Sequence, residues 1–122
     1  MLRELYGESL ALLTDLYELT MAQGYWNLGL ADREVCFHVS FRSNPFGGGY
    51  TVACGLGQVI EYVEAFGFDA SDTDLLAQIT GNDGERIFTD DFLEHLRQLR
   101  PRVDIDAVAE GDVVFPHEPL LR

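Results

Sequence analysis

The chain has 122 residues, 47% of them apolar, and a formal charge of −13 from 21 acidic and eight basic side chains. That length supports one small domain with an adequate core, and the apolar share excludes wholesale disorder. The charge excludes unassisted nucleic-acid binding, which needs clustered Lys and Arg to displace counterions; here there is no Lys and the Arg residues are scattered.

The acid excess fits a solubilising surface or a salt-rich cytoplasm. No segment approaches membrane-spanning length, and the opening MLRELYGESL has too short an apolar run for a secretory signal. Cys36 and Cys54 lack metal-ligand spacing and lie in predicted strands, which reads as a pair of reduced, buried thiols in a cytoplasmic protein.

In chain order, Leu13, Leu16, Tyr17, Thr20, Met21 and Gly24 recur at helical spacing and predict a helix from about Asp15 to Leu28. Thr14 suits its N-cap, Asp15 and Glu18 suit the positive end of its dipole, and Gly29 is a natural stop. From Arg33 the period changes to two. Val35, Phe37, Val39 and Phe41 share one face of a half-buried strand, opposite Glu34, Cys36, His38, Ser40 and Arg42. A turn over 43–49 leads to a second strand, Tyr50 to Cys54, read as the antiparallel neighbour of the first.

Leu56, Val59, Ile60, Val63 and Phe66 predict a second helix ending at Gly67. A short third helix starts at Ser71 or Asp72 and buries Leu75, Leu76 and Ile79. After the loop GNDGE, Thr89 caps a fourth helix with Phe92, Leu93, Leu96 and Leu99 on its core stripe, stopping before Pro101. Two further strands, Asp104 to Val108 and Asp112 to Phe115, flank a Glu110-Gly111 turn, and Pro119-Leu120-Leu121 reads as cut off in mid-element. The order of elements predicts an α+β fold: an N-terminal helix, an antiparallel strand pair, helices, then two further strands.

Several positions could carry chemistry. A helix opening with Thr14, Asp15 and Tyr17 offers free backbone N–H groups to an anion, and Tyr17 an aromatic face with a hydroxyl; its alternative use is packing on a core stripe. Arg42, just before a flexible turn, is either a solvated strand-end residue or a phosphate anchor. Gly47-Gly48-Gly49 lacks the ending of a phosphate loop and reads as a turn, and Gly55-x-Gly57 supports no nucleotide site. His38, His95 and His117 share no metal-ligand spacing; His95 is expected in solvent, His117 in a loop, and His38 is read as structural. Asp69, Asp72 and Asp74 read as capping and solvated surface.

Taken in order, LLTDLYELTMAQGYW (12–26), FRSNPFGGGYTVACGL (41–56) and AVAEGDVVFPHEPLL (107–121) resemble the N-terminal part of nicotinate phosphoribosyltransferases. The resemblance covers almost the whole chain and implies a partial N-terminal domain, 1–122, of a type II phosphoribosyltransferase whose α/β barrel would follow. It implies transfer of phosphoribose from phosphoribosyl pyrophosphate to nicotinate in NAD salvage, with ATP and Mg2+ used by the complete enzyme and neither bound by this fragment alone. It also implies a homodimer with the active site at its interface, where the matching Asp and Tyr reach into the partner's pocket. On that basis Tyr17, Asp15 and Arg42 are the expected substrate-binding residues. No catalytic residue is expected here, because the family's phosphorylated histidine belongs to the barrel. The fragment is therefore expected to be inactive by itself. The alternative is a non-catalytic, stand-alone binding domain derived from such an enzyme, or one half of a split enzyme.

Overall fold

The computed structural model describes residues 9–122, which divide between two compact units. The first takes the N-terminal segment to Arg33 together with Val63–Pro101; the second takes Glu34–Tyr62 together with Arg102–Arg122.

In the first unit, helix α1 spans Leu16–Asn27. Its N-cap is Asp15, not Thr14: Asp15 has the extended backbone of a cap, while the Thr14 hydroxyl donates to the Glu18 carboxylate. Gly29 follows in the left-handed conformation that stops a helix (φ 69°). One face of α1 buries Leu19 and lays Ala22 and Trp26 against the core, at the i, i+3, i+7 spacing of a single helix face.

Helix α3, Ala70–Leu76, starts earlier than Ser71 because Asp69 and Asp72 form a reciprocal capping box, Asp72 N donating to Asp69 Oδ1 (3.0 Å) and Asp69 N to Asp72 Oδ2 (2.9 Å). Leu76 is buried but Leu75 is exposed, since a helix this short turns only one side to the core. Helix α4, Asp90–Gln98, is capped by the Thr89 hydroxyl as its sequence predicts. Phe92, Leu93 and Leu96 enter the core with Phe88 and Phe68, and Leu99 packs at its edge. Phe88 and Phe92 stack with ring centroids 6.0 Å apart, and each such buried side chain contributes on the order of 1.5–3 kcal/mol. Gln23 of α1 ties this unit together: its amide nitrogen donates to Ile87 O (2.7 Å) and its oxygen accepts from Thr89 N (2.9 Å).

Helix α2, Leu56–Ala65, runs from the second unit into the first. Within the second unit, β1 (Thr51–Val52) pairs antiparallel with β2 (Val113–Val114), in the register Thr51↔Val114 and Val52↔Val113. This corrects the expected pairing of the 50–54 strand with the 33–42 segment. The latter forms no strand, and its expected inner face of Val35, Phe37 and Val39 is exposed. It meets the chain's last residues, with Val39 N donating to Leu121 O (2.9 Å) and Leu120 N to Val39 O (2.8 Å). The 104–108 segment likewise pairs with 120–122 and not with 112–115, through Val108 N to Leu120 O and the reciprocal bonds of Asp106 and Arg122. Alternation assigns side chains to faces, but it does not choose a partner strand.

Two further expectations are corrected. Cys36 and Cys54 are free thiols, as expected, but both are exposed. His95 is half-buried against aromatic rings, 5.9 Å from Trp26 and 6.3 Å from Phe92 between centroids. Among the described residues no helix is long and apolar enough to cross a membrane.

Candidate functional site

The opening of α1 presents its polar groups outward. Asp15 is exposed and its carboxylate makes no cap hydrogen bond, although Asp is a favoured capping residue. The first-turn amides therefore keep their positive end free of that side chain. Tyr17 is 59% exposed, and Leu16 and Met21 on the helix and Leu13 in the turn before it are exposed as well. It is not a core residue; Leu19, Ala22 and Trp26 fill that role from the opposite side of the helix. A flat, partly anionic ligand could meet the amide dipoles, the tyrosine face and its hydroxyl at one helix end.

Arg42 belongs to the second unit, and Asp15 and Tyr17 to the first. Arg42 is exposed at a bend three residues after the Val39 bridge, and its guanidinium has no partner among the described residues. The chain is held on either side of it: the backbone Phe41 O accepts from His117 N (2.8 Å), and two residues after Arg42 the Asn44 side-chain Oδ1 accepts from the Thr51 hydroxyl (3.0 Å). The 43–49 turn contains a 3₁₀ turn at Pro45–Gly47, with Phe46 itself left-handed (φ 58°).

Gly55-x-Gly57 does open a helix, but its amides are occupied. Glu110 Oε1 accepts from Gly55 N (3.1 Å) and Gly57 N (3.2 Å). The Gly57 amide first, then that of Gly55, holds the Glu110 carboxyl below its ordinary range. Glu110 was not singled out from the sequence; a helix start with no side-chain cap, facing an acid-glycine turn, is the signal that could have found it.

The acidic run is absorbed structurally, Asp69 and Asp72 in the capping box and Asp74 in an exposed ion pair with Arg97 (3.0 Å). His38 is exposed, and His117 sits in a turn with φ 68°. Among the described residues no three His, Cys, Asp or Glu side chains are grouped to hold a metal ion.

The nicotinate phosphoribosyltransferase (NAPRTase) N-terminal domain matches residues 12–122. The chain is 43% identical over 111 residues to a nicotinate phosphoribosyltransferase of Caenorhabditis elegans, covering 90% of this chain and 19% of the relative. It is 43% identical over 112 residues to nicotinate phosphoribosyltransferase pncB2 of Mycobacterium tuberculosis, covering 92% and 23%. Against the Bacillus subtilis nicotinate phosphoribosyltransferase it is 39% identical over 115 residues, covering 94% and 22%. The chain thus spans about a fifth of the length of the curated relatives it matches. With its helices, its two-stranded antiparallel sheet and a match running from Leu12 to Arg122, this chain belongs to the nicotinate phosphoribosyltransferase family and corresponds to its N-terminal domain.

Proposed function

We propose that these residues form the N-terminal part of an ATP-dependent nicotinate phosphoribosyltransferase that converts nicotinate and phosphoribosyl pyrophosphate to nicotinate mononucleotide in NAD salvage. The observation that carries this reading is the family match over 12–122. The outward placement of Tyr17 and Asp15 at one helix opening agrees with it.

In this reading Tyr17 stacks on the pyridine ring, Asp15 orients the ligand from the helix end, and Arg42 grips a phosphate of phosphoribosyl pyrophosphate. These groups bind and orient. Transfer of the sugar passes through a cationic centre that needs anionic stabilisers, metal-bound pyrophosphate and a closed cavity, which a following α/β barrel supplies. ATP and Mg2+ act there, so the isolated domain has no turnover. The enzyme works as a cytoplasmic homodimer in which the α1 opening of one protomer completes its partner's pocket.

The test is incubation of the full-length polypeptide carrying these residues with nicotinate, phosphoribosyl pyrophosphate, ATP and Mg2+. Formation of nicotinate mononucleotide with release of pyrophosphate is expected. A well-folded full-length protein that binds these ligands without converting them would favour the stand-alone binding domain.

A further inference from the structure

Arg42 lies between two tethers that come from one place. On its N-terminal side, Phe41 O accepts from His117 N at 2.8 Å. On its C-terminal side, Asn44 Oδ1 accepts from the Thr51 hydroxyl at 3.0 Å. Thr51 is paired in β1 with Val114 of β2, and Val114 is the buried residue at the root of that pair. The chain passes directly from Val114 into the turn of Phe115, Pro116, His117 and Glu118. That turn is closed by its own side chain: Glu118 Oε2 accepts from Phe115 N at 2.9 Å. His117 sits within it in the left-handed region, φ 68°, which non-glycine residues adopt at a cost and keep where the surroundings demand it. In this conformation the His117 N–H points at the carbonyl directly before Arg42.

We propose that the Phe115–Glu118 turn and the Thr51–Asn44 hydrogen bond together form a bracket that positions Arg42 for phosphate, with Glu118, His117 and Thr51 as positioning residues. The inference rests on the reading of Arg42 as a phosphate anchor. An arginine side chain surrenders much freedom when it grips an anion, and a fixed backbone beneath it lowers that loss. The bracket also explains why a carboxylate and a left-handed histidine close an exposed turn: they aim an amide at the segment that carries the guanidinium.

The test is a double-mutant cycle in the full-length polypeptide, reading phosphoribosyl pyrophosphate affinity by calorimetry. Arg42→Ala is expected to weaken binding roughly 10- to 100-fold, the usual range for a lost charged hydrogen bond. Glu118→Ala is expected to weaken it about three- to tenfold when Arg42 is present, and to change nothing when residue 42 is already Ala. Thr51→Val, which cuts the other tether and leaves Glu118 intact, should behave the same way, so the test survives if Glu118→Ala folds poorly. Glu118→Gln, whose oxygen still accepts from Phe115 N, should bind like the parent protein. The bracket is overturned if Glu118→Ala and Thr51→Val weaken binding equally in both backgrounds, or in neither. If Arg42→Ala alone binds normally, the phosphate reading of Arg42 fails first, and the bracket falls with it.

Discussion

The carboxylate of Glu110 sits 3.2 Å from the backbone nitrogen of Gly57, one oxygen serving that amide and the amide of Gly55 at the start of α2. A residue from the turn just before β2 thus caps a helix far away in the chain, satisfying amides that would otherwise be left without partners. It also explains why Gly55-x-Gly57 takes no part in the proposed ligand site: its anion seat is already filled from within.

This contact makes the second unit sensitive to acid. The folded-state pKa of Glu110 is depressed, so its contribution is complete above the ordinary carboxylate range and disappears as pH falls through the lowered value. Asp69, held low mainly by the Asp72 amide, and Asp90, held low by Arg86, act in the same direction. Thermal midpoints of the parent chain and Glu110→Gln should differ most at neutral pH and converge below about pH 4. A gap that stays constant from neutral to acid would contradict the charged contact.

Tyr17 and Leu19 sit two residues apart on opposite sides of α1 and should part company under mutation. Tyr17→Ala should raise the KM of the complete enzyme for nicotinate by up to about tenfold, from the loss of roughly 0.5–1.5 kcal/mol of stacking. Its effect on stability should stay within about 0.5 kcal/mol, as for most surface substitutions. Leu19→Ala should instead cost about 2–5 kcal/mol of stability through the cavity it opens. Denaturation and steady-state kinetics on the two variants would reveal any exchange of these roles.

Gln23 bridges α1 to the entry of α4 with both ends of its side-chain amide. Gln23→Ala should destabilise the first unit by about 1–3 kcal/mol, since Ile87 O and Thr89 N then lose their partners. Amide hydrogen exchange offers a local check, because the Thr89 N–H should lose protection in the variant. Unchanged protection there would show that the bridge contributes little.

Leu13 ahead of α1, Leu16, Tyr17 and Met21 within it, and Val35, Phe37 and Val39 of the segment that follows it are exposed. Apolar patches of several hundred Å² favour association, whereas the −13 charge opposes it. The 122-residue chain should therefore self-associate, and more strongly as salt screens the repulsion. Sedimentation at low and high ionic strength distinguishes this from a compact monomer under both conditions.

The helices were legible because their signals are local. The apolar spacing and the Thr89 cap of α4 act within a few residues. In α1 the spacing locates the helix but names the wrong face, since Leu19, Ala22 and Trp26 meet the core while Leu16, Tyr17 and Met21 are exposed. The Asp69–Asp72 box starts α3 earlier than the sequence predicts. The cap of α1 falls one position later than the sequence predicts, because Thr14 and Asp15 are both good capping types and only the backbone at Asp15 decides between them. The strand partners were not legible, since Val39 meets Leu121 and Thr51 meets Val114 across most of the chain. His95 looked like a solvent residue because nothing local announces that Trp26 and Phe92 will close over its ring. For the candidate site, the exposure of Tyr17 and Arg42 came from the structure, while their choice as ligand contacts came from the motifs.

The central claim, that these residues bind and orient but do not catalyse, is tested most directly by comparing nicotinate mononucleotide formation by purified residues 1–122 and by the full-length polypeptide. Both are supplied with nicotinate, phosphoribosyl pyrophosphate, ATP and Mg2+. The account predicts turnover by the full-length protein and none by the 122-residue chain. Product formed by residues 1–122 alone would contradict it.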